Sequence, residues 1–407
     1  MSKIIKINSK NEKEIILDIE EFNNKFLKDK VLEFKNIEID SFEINKIIYD
    51  YTDNEDKEKD KEVNLSLLFE NCSFQNNFII DLPNDEDFTF KKISIINKAQ
   101  KKSFENLKLG DFNIDKLYFK NYDINNFDLF NLDFIEDSKI LFEDIVTKTL
   151  SIKKISQDSK YIQFHNVKIE KRLFFERIEL KNTYFNDFNL ESSSIKLIKT
   201  SFIDAHLNSV HWGKDLSRIK AKKDIFRQLK FVNDSAGNYI EGNRFFEQEM
   251  KTHQNDISKD KSKILEKFTL YLNKEISNFG QNWLLALTWI ITLSYMVFLI
   301  QENHILTLQG GVFLFVMYAM ITCKWMDVII NNEKTKHDNQ ILYSSFIILL
   351  LTIYLYTNNN FISFSKLFSL KPPKEYDFLI AMWVWHKILI AIPLYHFTIS
   401  LRRLTKR

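Results

Sequence analysis

Residues 104–134 read FENLKLGDFNIDKLYFKNYDINNFDLFNLDF, and large apolar side chains return at every fifth position: Phe104, Leu109, Ile114, Phe119, Ile124, Leu129 and Phe134. A second series stands two residues before the next member of the first: Leu107, Phe112, Leu117, Tyr122, Phe127 and Leu132. Asn113, Asp123, Asp128 and Asp133 fall between the two. A period of five fits neither a helix nor a plain strand. It fits a square coil in which each side is one pentapeptide, both series point inward, and stacked coils bury one continuous column. The beat returns at Ile169 and Phe174, at Leu180, Phe185, Leu190 and Ile195, and at Phe202, Leu207 and Trp212; Phe69 and Phe74 flank Cys72-Ser73 earlier. The competing reading is an antiparallel β-rich domain with accidental spacing. Seven consecutive matches speak for the solenoid.

Ala205-His206-Leu207, Phe127-Asp128-Leu129 and Cys72-Ser73-Phe74 resemble the pentapeptide-repeat family, and the resemblance extends with breaks over residues 65–212. It implies a right-handed quadrilateral β-helix. This chain departs from the family where a small residue is usual, two positions before each inward residue, by placing Phe, Leu or Tyr there. Either the coils are wider or irregular, or some of these side chains point outward. Residues 1–64 hold strand-like runs, Lys3–Ile7 and Glu14–Leu17, and are expected to form a mixed α/β cap over the open coil end. Asp50–Glu62 is a charge run of the kind found in solvated loops.

Hydropathy changes at residue 279. Four apolar stretches follow, Phe279–Ile300, Leu308–Ile330, Ile341–Tyr356 and Phe378–Leu401, and the third is short for a hydrocarbon core about 30 Å thick. The fold expected is therefore α+β: a pentapeptide-like β-solenoid, a helical connector over 213–278 and a four-helix transmembrane domain over 279–407. The tail Arg402-Arg403-Leu404-Thr405-Lys406-Arg407 and the loop with Lys334 and Lys336 place themselves inside; the loop Gln301–Thr307, without Lys or Arg, falls outside. Lys366, Lys371 and Lys374 then lie outside against the rule. No secretory segment opens the chain, so the solenoid is expected to stay in the cytoplasm. Two cysteines, Cys72 and Cys323, have no evident partner and suit a reducing compartment. A net charge of +2 argues against a strongly basic binder or an acidic mimic of nucleic acid.

The connector begins with Lys214–Lys230, seven basic and two acidic residues with a local net of +5: Lys214, Arg218, Lys220, Lys222, Lys223, Arg227 and Lys230. Asp224–Asn233 and Tyr239–His253 read as two helices broken at Ala236-Gly237-Asn238. Their facing residues are expected to be Ile225, Leu229 and Val232 against Ile240, Phe245, Phe246 and Met250. The hairpin caps the solenoid, and its basic face suits anionic inner-leaflet lipid. Nucleic acid is disfavoured, because no stacking aromatics interleave with these cations. Over Lys261–Asn278, Ile264, Leu265, Phe268, Tyr271, Leu272 and Ile276 share one helical face; an interfacial helix and a helix packed on the soluble domain both remain open. Phe226–Lys230, Ala236–Glu241, Phe245-Phe246, Glu249-Met250, Ser277–Gly280, His386-Lys387 and Ser400–Arg403 together look like the connector and spans of bacterial membrane-bound pentapeptide-repeat proteins. That resemblance implies a bacterial inner membrane, and architecture more than activity.

Ionisable residues within spans are costly and mark candidate sites. Lys324 and Asp327 stand one helical turn apart in the second stretch; His386, Lys387 and His396 stand in the fourth, with Asp327 and His396 at similar depth. The structural reading is local pairing and helix–helix hydrogen bonding; the functional one is an ion or proton path. Neither a P-loop, GxGxxG, GxSxG nor HExxH motif occurs. His165, His206, His211 and His253 lack zinc-ligand spacing, and His206 and His211 fall on outward positions. No cofactor, metal or catalytic residue is expected. The reading is a membrane-anchored scaffold presenting a cytoplasmic solenoid to a protein partner. The alternative is a subunit of an oligomeric pore or membrane effector gated through the solenoid.

Overall fold

The computed structural model describes residues 7–8, 14–15, 31–35, 38–39, 42–44, 63–74, 77–81, 88–98, 101–155, 161–258, 260, 262–301, 368–369 and 377–405. The second and third apolar stretches, with Lys324 and Asp327, and the charge run 50–62 lie outside these residues. The chain divides into two compact units, residues 1–249 and 250–407.

The first unit is a parallel β-solenoid of about six turns. Its long strands are β9 (Phe88–Ile96), β10 (Lys102–Lys120), β11 (Tyr122–Ile155) and β12 (Tyr161–Glu176). β13 (Thr183–Asn189), β14 (Ser194–Ile198), β15 (His206–His211) and β16 (Ile219–Lys220) complete the later turns. Every member of both five-residue series from Phe104 to Phe134 is buried, so large side chains do occupy both inward positions. The register changes along this stretch. Lys102 pairs with Tyr122, a turn of four pentapeptides, but after a shift at Ile114/Lys116 the partner of Lys116 is Lys139. Later turns keep the longer spacing, as in Lys139–Tyr161 and Tyr184–His206. Ser138, wholly buried, donates to the Ile114 carbonyl at 3.2 Å where the added residues enter. The coil is widened by insertion and filled with rings: Phe119, Phe142, Phe164 and Phe185 stack turn upon turn, with centroids 5.8, 4.9 and 5.0 Å apart.

Asn and Asp also stand at the corners of the coil, at positions other than those of the beat. Asn121, Asp144, Asn166, Asp187 and Ser209 form one column, all with φ between 51° and 62°. Asn and Asp tolerate this left-handed region better than other side-chain-bearing residues. Neighbouring corners also bond: Asn166 to Asp144 and Asn131 to Asp111, both at 2.7 Å. Phe174 departs from the expected inward pattern. It is half-buried and faces outward, with Leu173 and Phe175 buried beside it, after a register shift at Thr147/Thr149 reverses the alternation.

Coil pairing reaches back before residue 65. β1 (Ile7–Asn8) and β2 (Glu14–Ile15) form a small antiparallel pair. However, β3 (Val31–Lys35) runs parallel to β6 (Val63–Glu70), β4 (Glu38–Ile39) to β7 (Ser73–Phe74), and β5 (Phe42–Ile44) to β8 (Asn77–Asp81). The segment expected as a separate cap thus contributes strands to the solenoid.

The last turn is closed by α1 (Lys223–Ser235) and the start of α2 (Tyr239–Ser258). Ile225, Phe226, Leu229, Val232 and Phe245 join the solenoid core, and Phe245 meets Trp212 edge-on at 5.1 Å. Gln228 accepts from the Phe202 amide at 2.8 Å, occupying an edge donor. Gly237, at φ 76°, ends α1: its amide bonds the Asp234 carbonyl and the Asn238 amide the Asn233 carbonyl, a Schellman stop. Ile240 does not face α1 as expected; it is 59% exposed.

In the second unit, α3 (Ile264–Ser277), α4 (Trp283–Gln301) and α5 (Asp377–Thr405) pack together. Among the described residues one helical stretch, Trp383–Arg403, is long and apolar enough to cross a membrane, and Trp283–Ser294 is a shorter apolar stretch. The described residues thus supply one such helix where four spans were expected: the first stretch is represented by α4, and two stretches lie outside.

Candidate functional site

One face of the solenoid carries three outward columns set two residues apart, as the strand alternation requires. The middle column reads Tyr118, Leu141, Gln163, Tyr184 and His206, in register with the buried Ser94. Beside it run Lys92, Lys116, Lys139 and Tyr161. On the other side, Lys120 pairs with Glu143 at 2.8 Å, a hydrogen bond that raises the lysine pKa. The aromatics are pre-ordered. Tyr161 meets Tyr184 at 5.0 Å, and Tyr184 stacks on His206 at 4.3 Å and 11°. Lys92 lies over Tyr118 and Lys139 over Tyr161, at 5.5 and 5.6 Å. Such contacts hold cations and rings in place at the surface. His206 and His211 are exposed, as outward positions require.

Elsewhere on the solenoid, Asn77, Asn106 and Asn126 form a side-chain ladder with 2.8 Å bonds, extended by Thr149. Phe174 lies between the ammonium groups of Lys153 and Lys196, 5.5 and 5.2 Å from its centroid. Sequence reading missed the tyrosine column because an outward series with half-buried rings carries no period distinct from the core beat.

The basic connector is not one free patch. Arg218 turns inward and donates to the carbonyls of Leu190, at 2.9 Å, Glu191 and Trp212. Burial lowers its pKa. Arg227 bonds the buried Glu249 at 2.8 Å, which raises the guanidinium pKa. Lys230 pairs with Asp234. Glu249 and Asp234 lie beyond residue 230, so a charge count over 214–230 could not include them. Lys214, Lys220 and Lys222 are exposed and Lys223 half-buried. Arg244, held by Glu241, donates to the carbonyls of Gly213 and Lys214 at 2.6 and 2.7 Å and fixes the turn after the last coil.

In the second unit two of the ionisable candidates, His386 and His396, lie against serines. His386 Nε2 lies 2.8 Å from Ser294 Oγ, and His396 Nδ1 lies 3.2 Å from Ser277 Oγ. Asp327, the expected partner of His396, falls outside the described residues; within them that partner is Ser277. Lys387 stands 5.4 Å over the Trp383 ring. Burial along α4 and α5 places polar side chains inside beside Ala286, Ile290, Val297 and Ile390, and α5 carries large apolar ones outside. Thr288, Thr292, Ser294, His386, His396 and Ser400 are buried, while Trp385, Ile388, Ile392 and Tyr395 are 59, 56, 49 and 63% exposed. His253 Nε2 lies 2.9 Å from Glu266. Among the described residues no group of three His, Cys, Asp or Glu side chains converges as a metal site requires.

Comparison with protein-family models, with curated proteins and with solved structures returned no match.

Proposed function

We propose that this protein is a membrane-anchored interaction protein that presents its β-solenoid as a rigid docking face to a partner on the cytoplasmic side. The observation that carries the reading is the burial pattern of α5. Trp385, Ile388, Ile392 and Tyr395 face outward on α5 while His386, His396 and Ser400 on the same helix are buried, which suits a lipid surround and costs stability in water. The basic residues Arg402 and Arg403 at the end of α5 favour a cytoplasmic end there. On the solenoid, the Tyr118, Tyr184 and His206 column with its flanking lysines supplies ordered amphipathic groups of the kind that anchor interfaces. Membership of the membrane-bound pentapeptide-repeat proteins, and further spans from the undescribed stretches, belong to this proposal. So does a non-catalytic role.

The pore alternative is less well supported, because His386 and His396 are buried against serines within the helix packing. Two measurements test the scaffold reading. The protein is expected to remain in membranes after alkaline extraction, with the solenoid cleaved by protease only in inside-out vesicles. In cells, a photocrosslinker at position 184 is expected to give a discrete adduct that disappears in Tyr161→Ala, while one at position 126 gives none. Release into the alkaline supernatant, or indiscriminate adducts at both positions, would reject it. A conductance from purified protein that is lost in Lys387→Ala would favour the pore.

A further inference from the structure

Helix α3 is packed on one side and bare on the other. Leu270, Ile276 and Ser277 are buried, while Ile264, Leu265, Phe268 and Tyr271 are 73, 79, 56 and 51% exposed. At helical spacing these four share one face, and Lys263, Lys267 and Lys274 line one edge of it. Leaving large apolar groups in water forfeits the stabilisation that burial would bring.

The position of α3 along the other helices is fixed at its C-terminal end. Ser277 meets His396 on α5, Trp289 Nε1 on α4 donates to the Glu275 carbonyl at 3.0 Å, and Arg403 donates to the Phe279 carbonyl. Asn278, Phe279 and Gly280 all take positive φ, 48°, 57° and 77°, so α3 reverses into α4 through a short left-handed turn. The Gly280 amide closes that turn on Ser277 Oγ at 2.8 Å. A Cβ on Gly280 would stand 2.8 Å from the Arg403 guanidinium. Thus α3 is stapled beside the final turns of α5, where Arg402 and Arg403 stand. In a spanning helix, paired arginines of this kind mark the level of the lipid headgroups.

We propose that α3 lies along the headgroup–acyl boundary of the bilayer, with Ile264, Leu265, Phe268 and Tyr271 in the lipid and its three edge lysines toward anionic headgroups. The inference rests on the reading of α5 as membrane-embedded. Charge and shape both fit: an exposed apolar face with a lysine edge is the pattern of a helix lying in the plane of an anionic membrane.

The test uses the full-length protein with a benzophenone amino acid in place of Leu265, Ile388 or Glu105, reconstituted into phosphatidylcholine vesicles with or without phosphatidylglycerol. Ile388 reports on α5, and Glu105, exposed on the solenoid, is the aqueous control. Irradiation is expected to give lipid adducts at 388 and 265 but not at 105, with the yield at 265 raised by anionic lipid. Adducts at 388 without adducts at 265 would overturn this inference and leave the membrane reading standing. Adducts at neither would overturn both. Equal yields at 265 with and without anionic lipid would overturn the role given to the lysines.

Discussion

Tyr122 donates its hydroxyl to the Cys72 carbonyl, 2.8 Å away and fifty residues earlier in the chain, with the whole phenol inside the coil. This bond links one corner of the solenoid to an earlier turn. Replacing Tyr122 with Phe removes this buried hydrogen bond and is expected to cost about 1–3 kcal/mol. Burial, with a smaller contribution from Cys72, holds the phenol pKa well above its ordinary value. The unfolded phenol ionises near pH 10, and the folded one only at higher pH. The stabilisation is therefore intact below about pH 10 and is lost as pH rises beyond it, because the unfolded state then binds fewer protons. Urea unfolding between pH 8 and 11 should show a shallower loss of stability in Tyr122→Phe than in the parent. Equal slopes would place the phenol in contact with water.

Gly110 is required by Phe130. A Cβ at position 110 would stand 2.1 Å from the Phe130 ring, and that ring also receives the Lys108 ammonium at 4.8 Å. Gly110→Ala must swing the ring away, at about 1–3 kcal/mol for overpacking. Phe130→Ala removes the obstacle, so the double variant should be more stable than the sum of the two single losses predicts. A double-mutant cycle by chemical denaturation checks this. Simple additivity would show that the two residues do not compete for the same space.

The contrast between these two positions shows what the sequence could reveal. Tyr122 belongs to the five-residue beat, and its inward direction follows from periodicity alone. Phe130 and Phe174 are outward, and a large ring on the surface has no signature apart from the inward rings around it. Widening of the coil was foreshadowed by Phe, Leu and Tyr at positions where small residues are usual, although the site of insertion, at Ser138, was not. The helical stop at Gly237 was legible because left-handed geometry favours glycine. Charge partners were not. Arg227 finds Glu249 across the hairpin and Arg218 finds three backbone carbonyls, and a local count of charges contains neither. The serine partners of His386 and His396 were equally hidden, since a serine in an apolar run changes hydropathy little.

Arg218 is a structural cation rather than a lipid ligand. Its bonds to the Leu190, Glu191 and Trp212 carbonyls hold the last turn against the strand before it. Hydrogen bonds to charged groups are worth about 1.5–3 kcal/mol each. Arg218→Met keeps the aliphatic length and removes the donors, so it should raise amide hydrogen exchange around residues 190 and 212. Vesicle binding by the full-length protein should stay at the parent level. Lys220→Gln combined with Lys222→Gln should leave the exchange unchanged. Loss of vesicle binding in Arg218→Met with normal exchange would return this residue to the membrane surface.

The His386–Ser294 bond joins α5 to α4 across 92 residues, with both side chains at 0% exposure. In a lipid surround the alternative to this bond is a polar group facing hydrocarbon, so the pair acts as glue between the helices. Measured couplings of this type average about 0.6 kcal/mol and reach about 1.7 kcal/mol. His386→Ala, Ser294→Ala and the double variant, unfolded thermally in one detergent, should give a coupling within that range. The single variants should be less stable than the parent, and the double variant less destabilised than their sum. Chemical exchange of the two partners, Ser294→His with His386→Ser, should recover part of the loss if the packing allows the reversed bond. Additive losses in the cycle would mean that the two helices are held by shape alone, and that the histidine is kept for another purpose.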